Sequence, residues 1–138
     1  MLLDTHVWIW AAADVPNRIG PKTRRRLEKA AAAGSLYVST ASALEVTALC
    51  TAGRLVLSMP AERWIRDSVD RSGLRVADID MEIAIDAGQV PASTIPDPLD
   101  RLLVATARSL GVPLVTRDRL LLSYIAKTRL ATAVDARV

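Results

Sequence analysis

The sequence predicts an α/β fold, a parallel sheet flanked by helices, and three observations carry that prediction. Short apolar runs alternate with segments of helix length along the chain, the order that βαβ units produce. The opening run, Met1 to Leu3, shows none of the polar alternation of a half-exposed strand, as expected where both faces of a strand are covered. Two of the runs lead into an acid, Asp4 and Asp118. Right-handed crossovers place every carboxyl end of a parallel sheet on one edge, where ligands bind.

The first strand stops at Asp4, and a helix is expected from His6 to Ala12. Asp4 or Thr5 could do no more than cap that helix, because both are ordinary capping residues. Pro16 and Gly20 break the chain, and Pro21 is well placed to open a helix over Pro21 to Ala33. Its Lys22, Arg25, Arg26 and Lys29 share one face, with Arg24 at the edge and Leu27, Ala30 and Ala31 opposite. Such a stripe is ordinarily a solvated face; the functional alternative is a track for a phosphate backbone, with binding that falls steeply with salt.

Gly34 ends that helix, Leu36 to Val38 is a second strand, and Ala41 to Ala52 is a third helix. Glu45 lies there on a stripe with Ala41, Ala48, Leu49 and Ala52, which should face the interior. An unpaired carboxylate on such a stripe is costly, so Glu45 meets a basic group or lines a polar pocket. Gly53 to Pro60 is a connector, Ala61 to Ser72 an amphipathic helix with Trp64, Ile65 and Val69, and Leu74 to Val76 a strand. A helix from Met81 to about Gly88 and a proline-broken loop from Val90 to Pro98 follow.

Leu99 to Leu110 is the strongest helix of the C-terminal half, stopped by Gly111. Asp97 is its natural cap, leaving Asp100, on a stripe with Leu103, Val104 and Ala107, for another task. Val112 to Thr116 is a strand, a short helix starts at Arg119, and Leu130 to Val134 suits a last strand. Asp4 and Asp118 end strands, Asp100 begins a helix at the same edge, and Glu45 follows the second strand by about one turn. All four carboxylates can therefore meet at one rim.

Size and composition bound the rest. The 138 residues suit a single domain, residues 1–138, with disorder expected only near Ala13 to Gly20 and at the last few residues. One cysteine, Cys50, excludes an intrachain disulfide and suits a reducing cytoplasm. Asp4 interrupts the first apolar stretch and no basic segment precedes it, against a secretion signal. The longest uncharged run, Ala30 to Leu44, is too short and polar to span a bilayer. A net charge of +3 with 18 basic residues permits an anionic partner such as nucleic acid. With one His and one Cys, a zinc site of nitrogen and sulfur ligands is nearly excluded. Clustered carboxylates repel and raise one another's pKa unless a cation joins them. Oxygen ligands select Mg²⁺ or Mn²⁺, which suits phosphodiester hydrolysis.

Four segments, Leu2-Leu-Asp-Thr-His-Val-Trp8, Ser42-Ala-Leu-Glu-Val46, Asp97-Pro-Leu-Asp-Arg-Leu-Leu-Val-Ala-Thr-Ala107 and Leu114-Val-Thr-Arg-Asp118, together resemble the acidic motifs of PIN-domain ribonucleases. The branch they are most similar to is the VapC-type toxins of bacterial toxin–antitoxin pairs. The resemblance spans nearly the whole chain and implies a three-layer α/β/α sandwich with a central parallel sheet. It also implies Mg²⁺- or Mn²⁺-dependent endoribonuclease activity on an RNA such as tRNA or rRNA, a homodimer, and a complex with a cognate antitoxin. Carried over by position, Asp4 and Asp100 are the principal metal ligands. Glu45 and Asp118 complete the site directly or through water, Thr116 orients water or phosphate, and Asp97 is a cap or supporting group.

Rival readings fit less well. A haloacid-dehalogenase-like phosphatase needs a second Asp where this chain has His6, and a receiver domain needs a Lys where it has Arg117. The alternative from another class is a non-catalytic PIN-like RNA-binding or scaffold module that keeps its acids for capping or metal-dependent stability. A dimer surface is guessed only from apolar side chains such as Trp64.

Overall fold

The computed structural model describes residues 1–71 and 73–138. Among these, five strands alternate with seven helices: β1 (Leu2–Leu3), α1 (Thr5–Ala12), α2 (Pro21–Ala32), β2 (Tyr37–Ser39), α3 (Thr40–Thr51), α4 (Ala61–Arg71), β3 (Arg75–Ala77), α5 (Met81–Gln89), α6 (Pro98–Leu110), β4 (Leu114–Thr116), α7 (Arg119–Thr128) and β5 (Ala133–Asp135). The Ser72 end expected for α4 lies outside the described residues.

All pairings are parallel, and the sheet order is β3-β2-β1-β4-β5. The chain fills one side of β1 with β2 and β3, then crosses to fill the other with β4 and β5. The strand order thus reverses between β1 and β4, and such a reversal opens a crevice beyond their carboxyl ends. Asp4 and Asp118 stand there.

Strand alternation sorts the core into two layers. Leu3, Val38 and Val115 join Trp8, Leu27, Val46 and Trp64 on one side of the sheet. Leu2 and Leu114 join Leu103, Val104, Leu121 and Ile125 on the other. The result is the α/β/α sandwich, with α6 also packed against α5 through Ile83, Ala87 and Ala105.

Trp64 belongs to this interior. It is 9% exposed, packs 5.1 Å from Trp8, and is no dimer surface. Strands β2 and β3 begin one residue later than the apolar runs suggest, because Leu36 and Leu74 are buried in the approaches to the sheet rather than in its ladder. β5 is Ala133–Asp135 instead of Leu130 to Val134; Leu130 is exposed.

The segments expected to be loose hold each other. Ile19 and Ala136 are buried, the Gly20 N–H donates to the Ala136 carbonyl at 2.8 Å, and the Thr23 N–H donates to the Val138 carbonyl at 2.8 Å. A Cβ at Gly20 would fall on the carbonyls of Arg137 and Val138, so only glycine lets the chain end pack there. Gly111 serves differently: at φ 64° it takes the left-handed turn that ends α6.

Candidate active site

Asp4 has extended backbone, φ −61° and ψ 148°, and caps α1: its Oδ1 accepts from the His6 N–H at 3.3 Å. Its Oδ2 accepts from the Thr116 hydroxyl at 2.5 Å. Thr116 is fully buried at the end of β4, and its oxygen also accepts from the Asp118 N–H at 3.0 Å. The hydroxyl proton is therefore committed to orienting Asp4, and the same side chain holds the turn into α7. Asp118 caps α7, with its Oδ1 accepting from Leu120 at 2.6 Å and Leu121 at 3.1 Å. Asp97 caps α6 through Leu99 at 2.9 Å, the role expected of it.

Asp100 and Glu45 are held differently. Both are half-buried, and neither carboxylate is hydrogen-bonded or ion-paired among the described residues. Asp100 stands in the first turn of α6, and its pKa is pushed up to about 7, first by burial and then by Asp97, Asp4, Asp118 and Glu45. Burial also raises the pKa of Asp4, and Asp118 adds to the rise, while hydrogen bonds from Thr116 and His6 oppose it. The crevice is thus one electrostatic unit: acids from four separate parts of the chain feel one another. Among the described residues, no three His, Cys, Asp or Glu groups are gathered tightly enough to grip a metal ion as they stand.

Glu45 owes its place to a contact that the polarity pattern does not reveal. The Thr5 hydroxyl donates to Ser42 Oγ at 2.9 Å, both side chains fully buried, tying the start of α1 to α3 one turn before Glu45. The interior face of α3 is accordingly Ala41, Ser42 and Val46, while Ala48 and Ala52 are exposed. A satisfied buried serine reads as an outward residue in a hydropathy pattern, which rotates the expected stripe. Its adjacency to the acid motifs, directly after Asp4 and just before Glu45, was the available signal. On α2, Lys22, Arg25, Arg26 and Lys29 are all exposed.

The donor set is entirely oxygen, and four acids act electrostatically on Asp100, whose pKa is pushed up to about 7. That composition and charge fit a hard divalent cation, which would take the place of the proton. The PIN domain matches residues 1–127 of the chain. This chain belongs to the PIN-domain family. It is 34% identical over 124 residues to Ribonuclease VapC22 of Mycobacterium tuberculosis (strain ATCC 25618 / H37Rv), covering 90% of this chain and 91% of that protein. The fold is similar to that in the DNA-bound VapBC crystal structure from Salmonella typhimurium, with a TM-score of 0.65 and 22% identity over 97% of this chain and 96% of that one. A VapBC2 structure from Rickettsia felis, bound to a promoter DNA fragment, gives a TM-score of 0.65 at 16% identity over 96% of each chain. In this PIN domain, no helix among the described residues is long and apolar enough to cross a membrane.

Proposed function

We propose that this PIN domain is an endoribonuclease that hydrolyses RNA phosphodiester bonds with Mg²⁺ or Mn²⁺ and acts as a VapC-type toxin. The observation that carries the reading is the convergence of Asp4, Glu45, Asp97 and Asp118 on Asp100, which leaves a partly protonated carboxyl among like charges. Asp4 and Asp100 would hold the ion, with Asp118 and Glu45 completing its shell and Thr116 fixing the angle of Asp4. When bound, the cation supplies positive charge beside the scissile phosphate and makes water a nucleophile at neutral pH. The protein's share is to orient Asp4 through a buried hydroxyl and to keep Asp100 ready to exchange its proton for the ion. Kinship with Ribonuclease VapC22 and likeness to the VapBC structures support a cognate antitoxin as partner; a homodimer and a cytoplasmic setting belong to the same proposal.

The capping roles of Asp4, Asp97 and Asp118 favour a second reading, a non-catalytic RNA-binding or scaffold module whose acids only hold helices. Asp100 and Glu45 cap nothing, which favours the nuclease. Incubating the purified chain with structured RNA separates the two: Mg²⁺- or Mn²⁺-dependent cleavage leaving a 3′-hydroxyl is expected, absent in EDTA and in Asp4→Asn. Equal cleavage by wild type and variant would overturn the reading.

A further inference from the structure

Next to the acidic crevice stands a cationic and aromatic cluster that the mechanism above does not use. His6 and Trp10 lie one turn apart on α1, ring centroids 5.9 Å apart and tilted by 47°. The guanidinium groups of Arg18, from the α1–α2 loop, and Arg117, between Thr116 and Asp118, each lie 5.5 Å from the Trp10 ring centroid. Arg117 Nη1 donates to the Arg18 carbonyl at 3.3 Å. Among the described residues no carboxylate forms an ion pair with either arginine; the pairs nearby join Arg24 to Asp14 and Arg137 to Asp135. His6 and Arg18 are exposed, while Trp10 and Arg117 are half-buried.

Two like charges gathered around one ring repel each other, and stacking on indole offsets this only in part. One hydrogen bond to a loop carbonyl uses a single one of the five N–H donors of Arg117. A role confined to pinning the loop leaves most of that donor capacity unused and the Arg18 charge unanswered, and the one carboxylate that feels Arg117, Asp135, is already paired with Arg137. The position supplies the answer. Arg117 is flanked in sequence by two residues of the crevice, so positive charge begins where the acidic rim ends. A polyanion drawn to a cluster of carboxylates needs such a counterweight beside it.

We propose that Arg18 and Arg117, stacked on Trp10, form a binding arm for single-stranded RNA: the guanidinium groups hold backbone phosphate flanking the cleavage point, and the exposed His6 ring, braced by Trp10, supports a base. Guanidinium forks and aromatic faces are the groups that hold single-stranded RNA in this way. This inference rests on RNA being the substrate. It differs from the exposed stripe of α2, where charges fan out without an aromatic platform.

The test is fluorescence anisotropy of a labelled single-stranded oligoribonucleotide of mixed sequence, titrated in EDTA so that cleavage plays no part. The double variant Arg18→Ala/Arg117→Ala is expected to bind about tenfold more weakly at low salt, with a salt slope shallower by about 1.4, twice the ~0.7 per phosphate contact of a single strand. Lys at both positions is expected to restore the slope but not the affinity, because ammonium lacks the flat stacking face. Trp10→Phe, which keeps a ring in place, is expected to weaken binding with little change in slope. Circular dichroism verifies that each variant folds, and Arg25→Ala/Arg26→Ala is the control for unlocalised charge.

Unchanged affinity and slope in the double variant, full restoration by Lys, or no RNA binding by the wild type would each overturn the arm. Failure of the nuclease reading looks different. Wild type that binds through these arginines but never cleaves with Mg²⁺ or Mn²⁺ removes that reading and leaves the arm standing. Cleavage and binding that both survive removal of the arginines remove the arm and leave the nuclease.

Discussion

The two halves of the crevice are built on opposite terms. On the β1–β4 side, Asp4 and Asp118 cap helices and Thr116 joins them, so those carboxylates stabilise the fold even without a ligand. On the helix side, Asp100 and Glu45 are carried in by α6 and α3 and make no hydrogen bond among the described residues. The first half is held by its own hydrogen bonds, which oppose the cost of burying Asp4; in the second, Asp100 has no such bond and is held against its electrostatics by packing elsewhere. A group whose charge the fold disfavours marks the place where a ligand is meant to act.

Substitutions on the helix side should separate activity from stability most sharply. Asp100→Asn is expected to lower metal-dependent RNA cleavage by more than about 100-fold, beyond the 10–100-fold typical of losing a supporting group, while raising the melting temperature of the EDTA-treated protein. A variant that cleaves normally, or melts lower without metal, would erase the contrast. Thr116→Val tests the other half. It removes the donor to a buried carboxylate, so a loss of about 1–3 kcal/mol in denaturant-measured stability is expected, together with reduced cleavage; activity lost with no change in stability would contradict the dual role.

The pH dependence sharpens the same comparison. The folded chain binds the Asp100 proton more tightly than the unfolded chain, because the pKa rises from 3.8 to about 7. The stability this contributes is fully present below the unfolded pKa of 3.8 and is lost as pH rises through about 7. In EDTA, the difference in melting temperature between Asp100→Asn and wild type should therefore widen from pH 4 toward pH 7. With excess Mg²⁺ or Mn²⁺, wild type should instead gain stability across that window, as the ion displaces the proton. A pH-independent difference would show that Asp100 is not strained.

The smallest effect belongs to the acid outside both halves. Asp97→Ala should cost about 1 kcal/mol of stability through the lost α6 cap while leaving more than half of the cleavage rate. Loss of activity as deep as that of Asp100→Asn would make Asp97 the ligand in its place.

Local physics was enough to read most of the frame. Uncharged apolar runs must be covered on both faces, so Leu2–Leu3 and Leu114–Val115 implied a parallel sheet. Pro21, Gly34 and Gly111 punctuate helices wherever they occur, and an acid after a strand or before a helix is a cap in sequence as in space. That Asp4 and Asp118 share one edge followed from strand handedness, and Asp100 and Glu45 were placed near it by the order of elements, though how α3 turns Glu45 was not legible. Tertiary structure decided what depends on partners distant in the chain. Trp64 reads as a possible surface residue until Trp8 covers it, and the loop before Gly20 reads as loose until the chain end closes on it. Ser42 reads as polar until Thr5 buries it, and Arg18 and Arg117 are ordinary basic residues until Trp10 stands between two loops to gather them. Periodicity reports how a residue relates to its neighbours in the chain, whereas burial, hydrogen-bond satisfaction and charge compensation are settled by residues that only folding brings near.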